Sequence, residues 1–123
     1  MNNINPVLEM EQRHIDALAR YPNLCAQGIL SKREKGEPVD PADIAVALSF
    51  LARCRRTKRP AAHTVDLRRH ISRWAGRPIS TGAVIAGAVG AGFEAHGWYG
   101  VMEYYPNALV NVRIRDVKAA VEG

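Results

Sequence analysis

Basic side chains provide the clearest chemistry in this sequence, because they are concentrated in one segment. Residues 53–77 contain nine of the seventeen lysines and arginines but a single acid, Asp66, whereas residues 1–45 hold seven of the twelve acids. Cations at this density can neutralise phosphates or an acidic protein surface, so the segment predicts a polyanionic partner. The alternative is a solvated basic face without a partner.

Helical spacing predicts that some of these basic side chains lie on one face of a helix. Arg69 and Arg73 are one turn apart and share their side of the predicted helix with Arg68. Two further arginines on a C-terminal strand are expected to add to the surface. The residues predicted to bind nucleic acid or an acidic partner are Arg55, Arg56, Lys58, Arg59, Arg68, Arg69, Arg73, Arg77, Arg113 and Arg115.

Aromatic residues form a second candidate surface between positions 98 and 105. The cluster comprises Trp98, Tyr99, Tyr104 and Tyr105, interspersed with glycine. Core packing of a hairpin is the plain interpretation, and the functional one is the centre of a protein interface. Stacking on unpaired bases is a third possibility.

Residue patterns for catalysis or metal binding are not found. None of the nucleophile, zinc or phosphate-loop motifs occurs, and none of the four histidines is paired with another ligand at helical spacing. Cys25 and Cys54 are expected to be reduced, buried thiols on helices. The sequence therefore predicts a non-enzymatic protein without a metal or cofactor.

Helices must position most of the basic residues. Asn5-Pro6 predicts the start of a first helix that ends near Tyr21, and a short helical stretch is expected through Leu24, Cys25, Ile29 and Leu30. Asp40-Pro41 begins a second helix, apolar nearly all round and therefore central, which is expected to continue to Thr57 and to carry Arg53, Arg55 and Arg56 in its last turns.

Two further helices follow at short spacing. Thr64 is predicted to cap a helix that buries Leu67, Ile71 and Trp74 and ends at Gly76. Ser80 or Thr81 begins the next, which continues to about Ala91. Its side chains beyond Thr81 are Gly, Ala, Val and Ile, so this helix cannot read base edges, but its Gly/Ala face permits close approach of a backbone or a second helix.

The C-terminal part changes to a period of two. Val110, Val112 and Ile114 alternate with polar residues and predict a half-buried strand, preceded by a turn at 105–107 and by a partner strand within 93–104. Residues 117–122 are expected to form a short tail helix. The predicted fold is a single α+β domain over residues 1–123, mainly helical, with helices followed by a C-terminal β-hairpin in the order of a winged helix-turn-helix.

A stretch covering roughly residues 62–115 resembles small bacterial proteins encoded by phages, plasmids and related mobile elements. The shared positions are Trp74-Ala75-Gly76, Ser80, Gly82-Ala83, Ile85-Ala86, Gly92-Phe93, Pro106-Asn107-Ala108 and Asn111. The chain departs from that pattern in a more glycine-rich helix after Ser80 and in the additional segment 96–105. The resemblance implies a setting, an accessory gene of a mobile element, and assigns no role to any residue.

These observations predict a small binding protein of a mobile element that binds DNA or RNA through residues 53–77. The alternative is a phage or plasmid inhibitor of a host defence complex, similar to an anti-CRISPR protein, that acts by binding a protein or nucleoprotein. A homodimer formed through the Gly/Ala face is a further possibility. We also expect a cytoplasmic protein that does not bind membranes, because no signal peptide or long apolar run is present.

Overall fold

The computed structural model of the protein describes residues 24–29, 36–96 and 108–122. Over these ranges the chain is α+β and mainly helical, which confirms that part of the predicted fold class. Short strands precede and separate the helices. The elements are β1 (Leu24–Cys25), β2 (Gly28–Ile29), α1 (Pro41–Leu51), β3 (Ala62–His63), α2 (Thr64–Ala75), α3 (Thr81–Gly90), β4 (Ala95–His96), β5 (Leu109–Val110) and α4 (Ile114–Glu122).

Helix α1 begins as predicted but ends six residues early. The Asp40 carboxylate accepts a hydrogen bond from the backbone N–H of Ala42 at 2.9 Å, and Pro41 occupies the first position. After Leu51 the chain leaves the helix and bonds to the C-terminal segment: the Thr57 N–H donates to the Asn111 carbonyl at 2.8 Å. The expected helix to Thr57 was therefore wrong.

The same change removes three arginines from the helix end. Arg53, Arg55 and Arg56 all follow α1, and Arg56 forms an isolated antiparallel bridge with Val112. This stretch pairs with a distant segment, and that pairing overrides the helical propensity of its arginines. A contact with a distant segment leaves no trace in the local sequence pattern.

The central buried helix is α3, not α1 as predicted. All residues from Thr81 to Ala88 are buried, whereas α1 exposes Ala42 and Ser49. At Gly87 a Cβ atom would lie 2.7 Å from the Ala47 Cβ and 2.9 Å from the Leu48 nitrogen of α1. The close approach predicted for the Gly/Ala face is confirmed, and the neighbouring backbone belongs to the same chain.

Helix α2 ends where expected but begins one residue earlier, because a different residue caps it. His63, not Thr64, precedes the first turn, and its Nδ1 accepts a hydrogen bond from the Val65 N–H at 3.1 Å. Thr64 is buried, and its Oγ1 accepts from the Ala108 N–H at 3.0 Å. Gly76 ends the helix with φ +74°, a conformation that favours glycine.

The C-terminal hairpin belongs to a three-stranded antiparallel sheet. Its order is β3-β5-β4, so the strand before α2 pairs with the last strand. Val110 lies opposite both Ala62 and Ala95. The partner strand expected within 93–104 is thus confirmed as β4.

The predicted strand through Ile114 was wrong in its second half. Helix α4 begins at Ile114, so Ile114 and Arg115 are helical and exposed. The Val117 N–H donates to the Arg113 carbonyl at 3.2 Å and closes the first turn. The predicted tail helix is confirmed, with a start three residues earlier than expected.

The short helical stretch predicted near Leu24 was also wrong. Residues 24–29 form an antiparallel hairpin in which Cys25 pairs with Gly28, whose φ is +117°. Cys25 therefore lies on a strand and Cys54 follows α1, and both thiols are free. The predicted helix from Asn5 to Tyr21, Leu30 and the turn at 105–107 lie outside the described residues.

Within the described ranges, no helix combines the length and the apolar character needed to cross a bilayer.

Candidate nucleic-acid interface

A shallow groove of about 820 Å³ lies between the outer face of α2 and the turn that joins α2 to α3. We call it the α2 groove. Four of the predicted binding residues line it together with two serines: Arg68, Arg69, Arg73, Arg77, Ser72 and Ser80.

Helix periodicity explains why α2 presents these cations. Leu67 and Ile71 are almost fully buried, which anchors one face of the helix on α3 and α4. Arg68, Arg69 and Arg73 are exposed on the opposite side. The predicted sharing of a helix face by these three arginines is therefore found in the structure.

Arg68 and Arg73 form no ion pair with any residue in the part of the chain that the structure describes. Arg69 pairs with Asp66 at 2.6 Å, three positions earlier on the same helix. Both side chains of that pair are more than half exposed, so solvent weakens the pairing and an incoming anion can compete with it. Three arginines can thus supply positive charge to a ligand.

Arg77 has a structural role at the end of the groove. Its guanidinium donates to the carboxylate of Asp43, which is only 12% exposed at the start of α1. This pair ties the α2–α3 turn to α1. The Ser72 hydroxyl accepts from the Ile79 N–H at 2.9 Å and holds the same turn. Because Asp43 balances much of its charge, Arg77 contributes less than the other arginines to attraction of an anion.

The remaining predicted binding residues do not line the α2 groove. Arg55 lies beside α4, where its backbone N–H donates to the Asp116 carboxylate at 2.9 Å. Arg56 donates to the Gly92 carbonyl at 3.3 Å. Lys58 and Arg59 are exposed in the loop before β3, Arg113 is half-buried before α4, and Arg115 is exposed on α4.

Lys118 belongs to the basic surface but was not predicted. This exposed residue of α4 lies near Arg69 and His70 of α2. The amphipathic pattern of residues 114–121 marks a helix with one buried face. Only the packing of α4 against α2 brings Lys118 to the basic surface.

The first turn of helix α3 packs against the β1–β2 hairpin, although Ser80, which precedes that turn, lines the α2 groove. The Gly82 N–H donates to the Ala26 carbonyl at 3.0 Å, and a Cβ on Gly82 would lie 1.8 Å from the Cys25 carbonyl oxygen. The Ser80 hydroxyl accepts from the Ala83 N–H at 3.2 Å. The β1–β2 hairpin therefore covers the end of the helix that a helix-turn-helix protein would present to bases.

Covering of α3 also removes the surface expected for a homodimer. The Gly/Ala face packs against α1 at Gly87 and against β1–β2 at Gly82, so it is not available to a second copy. The aromatic cluster Trp98, Tyr99, Tyr104 and Tyr105 lies outside the described residues.

In the described ranges, no three His, Cys, Asp or Glu side chains are grouped so that they could hold a metal ion. One thiol is perturbed: burial raises the pKa of Cys54 to about 11, with the Asp116 carboxylate adding to the effect and Arg53 opposing it. A raised pKa makes a thiol a poor nucleophile at neutral pH.

Comparison with known proteins gives no match: no family model matches the sequence, and neither does a curated protein or a solved structure.

Proposed function

We propose that the protein is a non-enzymatic nucleic-acid-binding protein that contacts the sugar–phosphate backbone through the α2 groove. The observation that carries this proposal is the pair Arg68 and Arg73, both exposed, both without an acidic partner in the described ranges, and both on one groove. Arg69 lies between them. Arginine is well suited to bind phosphate because its planar guanidinium group can donate two parallel hydrogen bonds.

We further propose that the fold is a variant of the winged helix-turn-helix. A helix, a strand, a helix pair and a hairpin follow in order, and the hairpin pairs with the strand that precedes α2. In this proposal α2 contacts the ligand, because the N-terminus of α3 is covered. Binding would then depend on the backbone and not on base edges.

Counterion release sets the strength of such binding. Each phosphate neutralised on duplex DNA lowers the logarithm of the binding constant by about 0.9 per tenfold increase in salt. Arg68, Arg69 and Arg73 together would give a slope of about −2.7. The mobile-element setting and the cytoplasmic location remain proposals, which rest on the resemblance and on the composition.

Charge reversal in the groove tests the function. We expect Arg68→Glu/Arg69→Glu/Arg73→Glu to weaken binding of a labelled duplex by roughly 100-fold or more at low salt, because three attractive contacts become repulsive. The measurement is fluorescence anisotropy with DNA and RNA duplexes.

The matched control is Lys58→Glu/Arg59→Glu/Arg115→Glu, which changes the net charge by the same amount at exposed sites outside the groove. This variant should retain most of the affinity. Equal losses in the two variants would show that binding follows net charge, which would contradict a site at the α2 groove.

A further inference from the structure

A second depression, of about 440 Å³, opens between α2 and α4. We call it the α2–α4 cleft. Its volume is within the range of small-ligand sites. It is lined by His70, Arg73, Trp74, Lys118, Val121 and Glu122.

Trp74 is the largest side chain of the cleft, and it is unexpectedly exposed. The apolar stripe of α2 predicts burial, as found for Leu67 and Ile71, yet Trp74 is 37% exposed. Its ring meets that of Phe50 edge to face, with centroids 5.4 Å apart and an interplanar angle of 64°. Because Phe50 is fully buried, the contact holds the indole in place while part of it faces solvent.

Charge around Trp74 is predominantly positive. Arg73 borders both the α2 groove and the cleft, and Lys118 approaches from α4. Glu122 is the one acidic residue among the cleft-lining side chains. A ligand with a flat apolar face and an attached negative charge fits this combination of a fixed indole and flanking cations.

We propose that the α2–α4 cleft receives an unpaired nucleobase, which stacks on Trp74 while the adjoining phosphates contact Arg73 and Lys118. This inference rests on the proposed function and specifies its ligand as single-stranded nucleic acid. Bases within a duplex are stacked on one another and cannot enter the cleft. Stacking on an aromatic ring tolerates any base, so preference for single strands does not imply sequence preference.

The test separates stacking from charge by comparing two oligomers with the same phosphates. One is a labelled oligothymidylate of about 12 nucleotides, and the other is an abasic oligomer of the same length. We expect the wild-type protein to bind the oligothymidylate at least about fivefold more tightly than the abasic oligomer, the lower end of the effect of one stacked base. Trp74→Leu, which keeps an apolar contact to Phe50, should bind both oligomers alike.

Trp74→Phe is the rescue variant, because it restores an aromatic face of smaller area. This variant should recover part of the difference in affinity between the two oligomers. Oligothymidylate should quench its fluorescence much less than it quenches that of the wild-type protein. A melting curve for each variant checks that the fold is retained.

Equal wild-type affinity for the two oligomers would overturn the stacking proposal and leave the backbone-binding function intact. Tighter binding to a duplex than to either oligomer would also overturn the stacking proposal and leave the backbone-binding function intact. If neither oligomer nor duplex binds at low salt, the proposed function itself fails, and the cleft would have to face a protein.

Discussion

At the scale of single residues, the basic surface contains both arginines without an ion-pair partner in the described ranges and arginines held in structural ion pairs. Arg68 and Arg73 have no acidic partner in the described ranges, whereas Arg77 is tied to the nearly buried carboxylate of Asp43. From sequence alone, all three arginines are predicted to bind the ligand. Their difference arises from α1, whose first turn places Asp43 against the α2–α3 turn. Partner geometry, not residue type, decides which cation can bind a phosphate.

Cys54 provides a pH-dependent test at the same scale. Its thiol pKa is raised to about 11, so at pH 8 only about one molecule in a thousand carries the thiolate there. We expect Cys54 in the native protein to react with iodoacetamide on the order of 100-fold more slowly than in the urea-unfolded chain. Site-resolved mass spectrometry measures both rates.

Because only the thiolate reacts, the native rate should rise about tenfold per pH unit until the pH reaches about 11. A native rate that levels off near pH 9 would contradict the burial of this thiol.

Among the elements, α3 has the strictest packing requirement. It is buried from Thr81 to Ala88, and α1 crosses it at Gly87 without space for a side chain. Alanine favours a helix over glycine by about 1 kcal/mol, but a methyl group here would lie 2.9 Å from the Leu48 backbone nitrogen. The clash should dominate, because backbone atoms cannot move aside as a flexible side chain can.

We therefore expect Gly87→Ala to lower the free energy of unfolding by about 1–3 kcal/mol, the usual cost of overpacking. Urea unfolding followed by circular dichroism measures it. Ser49→Ala is the control, because Ser49 is exposed on α1 and the change favours the helix without adding an atom to a packed interface. Unchanged or increased stability of Gly87→Ala would show that α1 and α3 are not in contact at this point.

Several helix ends of this fold could be predicted from sequence, but the pairings between distant segments could not. Asp40, Gly76 and Ser80 mark helix ends through local chemistry, and all three were placed correctly. The end of α1 at Leu51 depends instead on bonds from residues 55–57 to residues 111–113. No local pattern reports a contact of that sequence separation.

The basic surface could likewise be predicted within a single helix but not across packed helices. The shared face of Arg68, Arg69 and Arg73 follows from helical periodicity within one element. Lys118 was missed, and Arg55 lies outside the α2 groove, because the positions of both depend on where α4 packs. The exposure of Trp74 was also not predicted. It arises because the apolar stripe of α2 extends beyond the surface that α3 and α4 cover.

Across the whole molecule, the role that we propose for the helix pair α2–α3 is the reverse of that in a base-reading helix-turn-helix. The second helix is the core of the domain, and the first presents the charge. The β1–β2 hairpin and α1 cover α3 on two sides, at Gly82 and Gly87. For the proposed function, this arrangement predicts binding that depends on backbone charge and not on sequence.

The salt dependence of nucleic-acid binding tests this central claim most directly. The logarithm of the binding constant for a duplex, measured by anisotropy over a salt series, should fall with a slope of about −2.7, and Arg73→Ala should reduce that slope by about 0.9. A mixed-sequence duplex and a second, unrelated one should give the same line. No binding at low salt, or tight binding that does not change with salt, would contradict the account, and the arginines of α2 would then be assigned to an acidic protein surface.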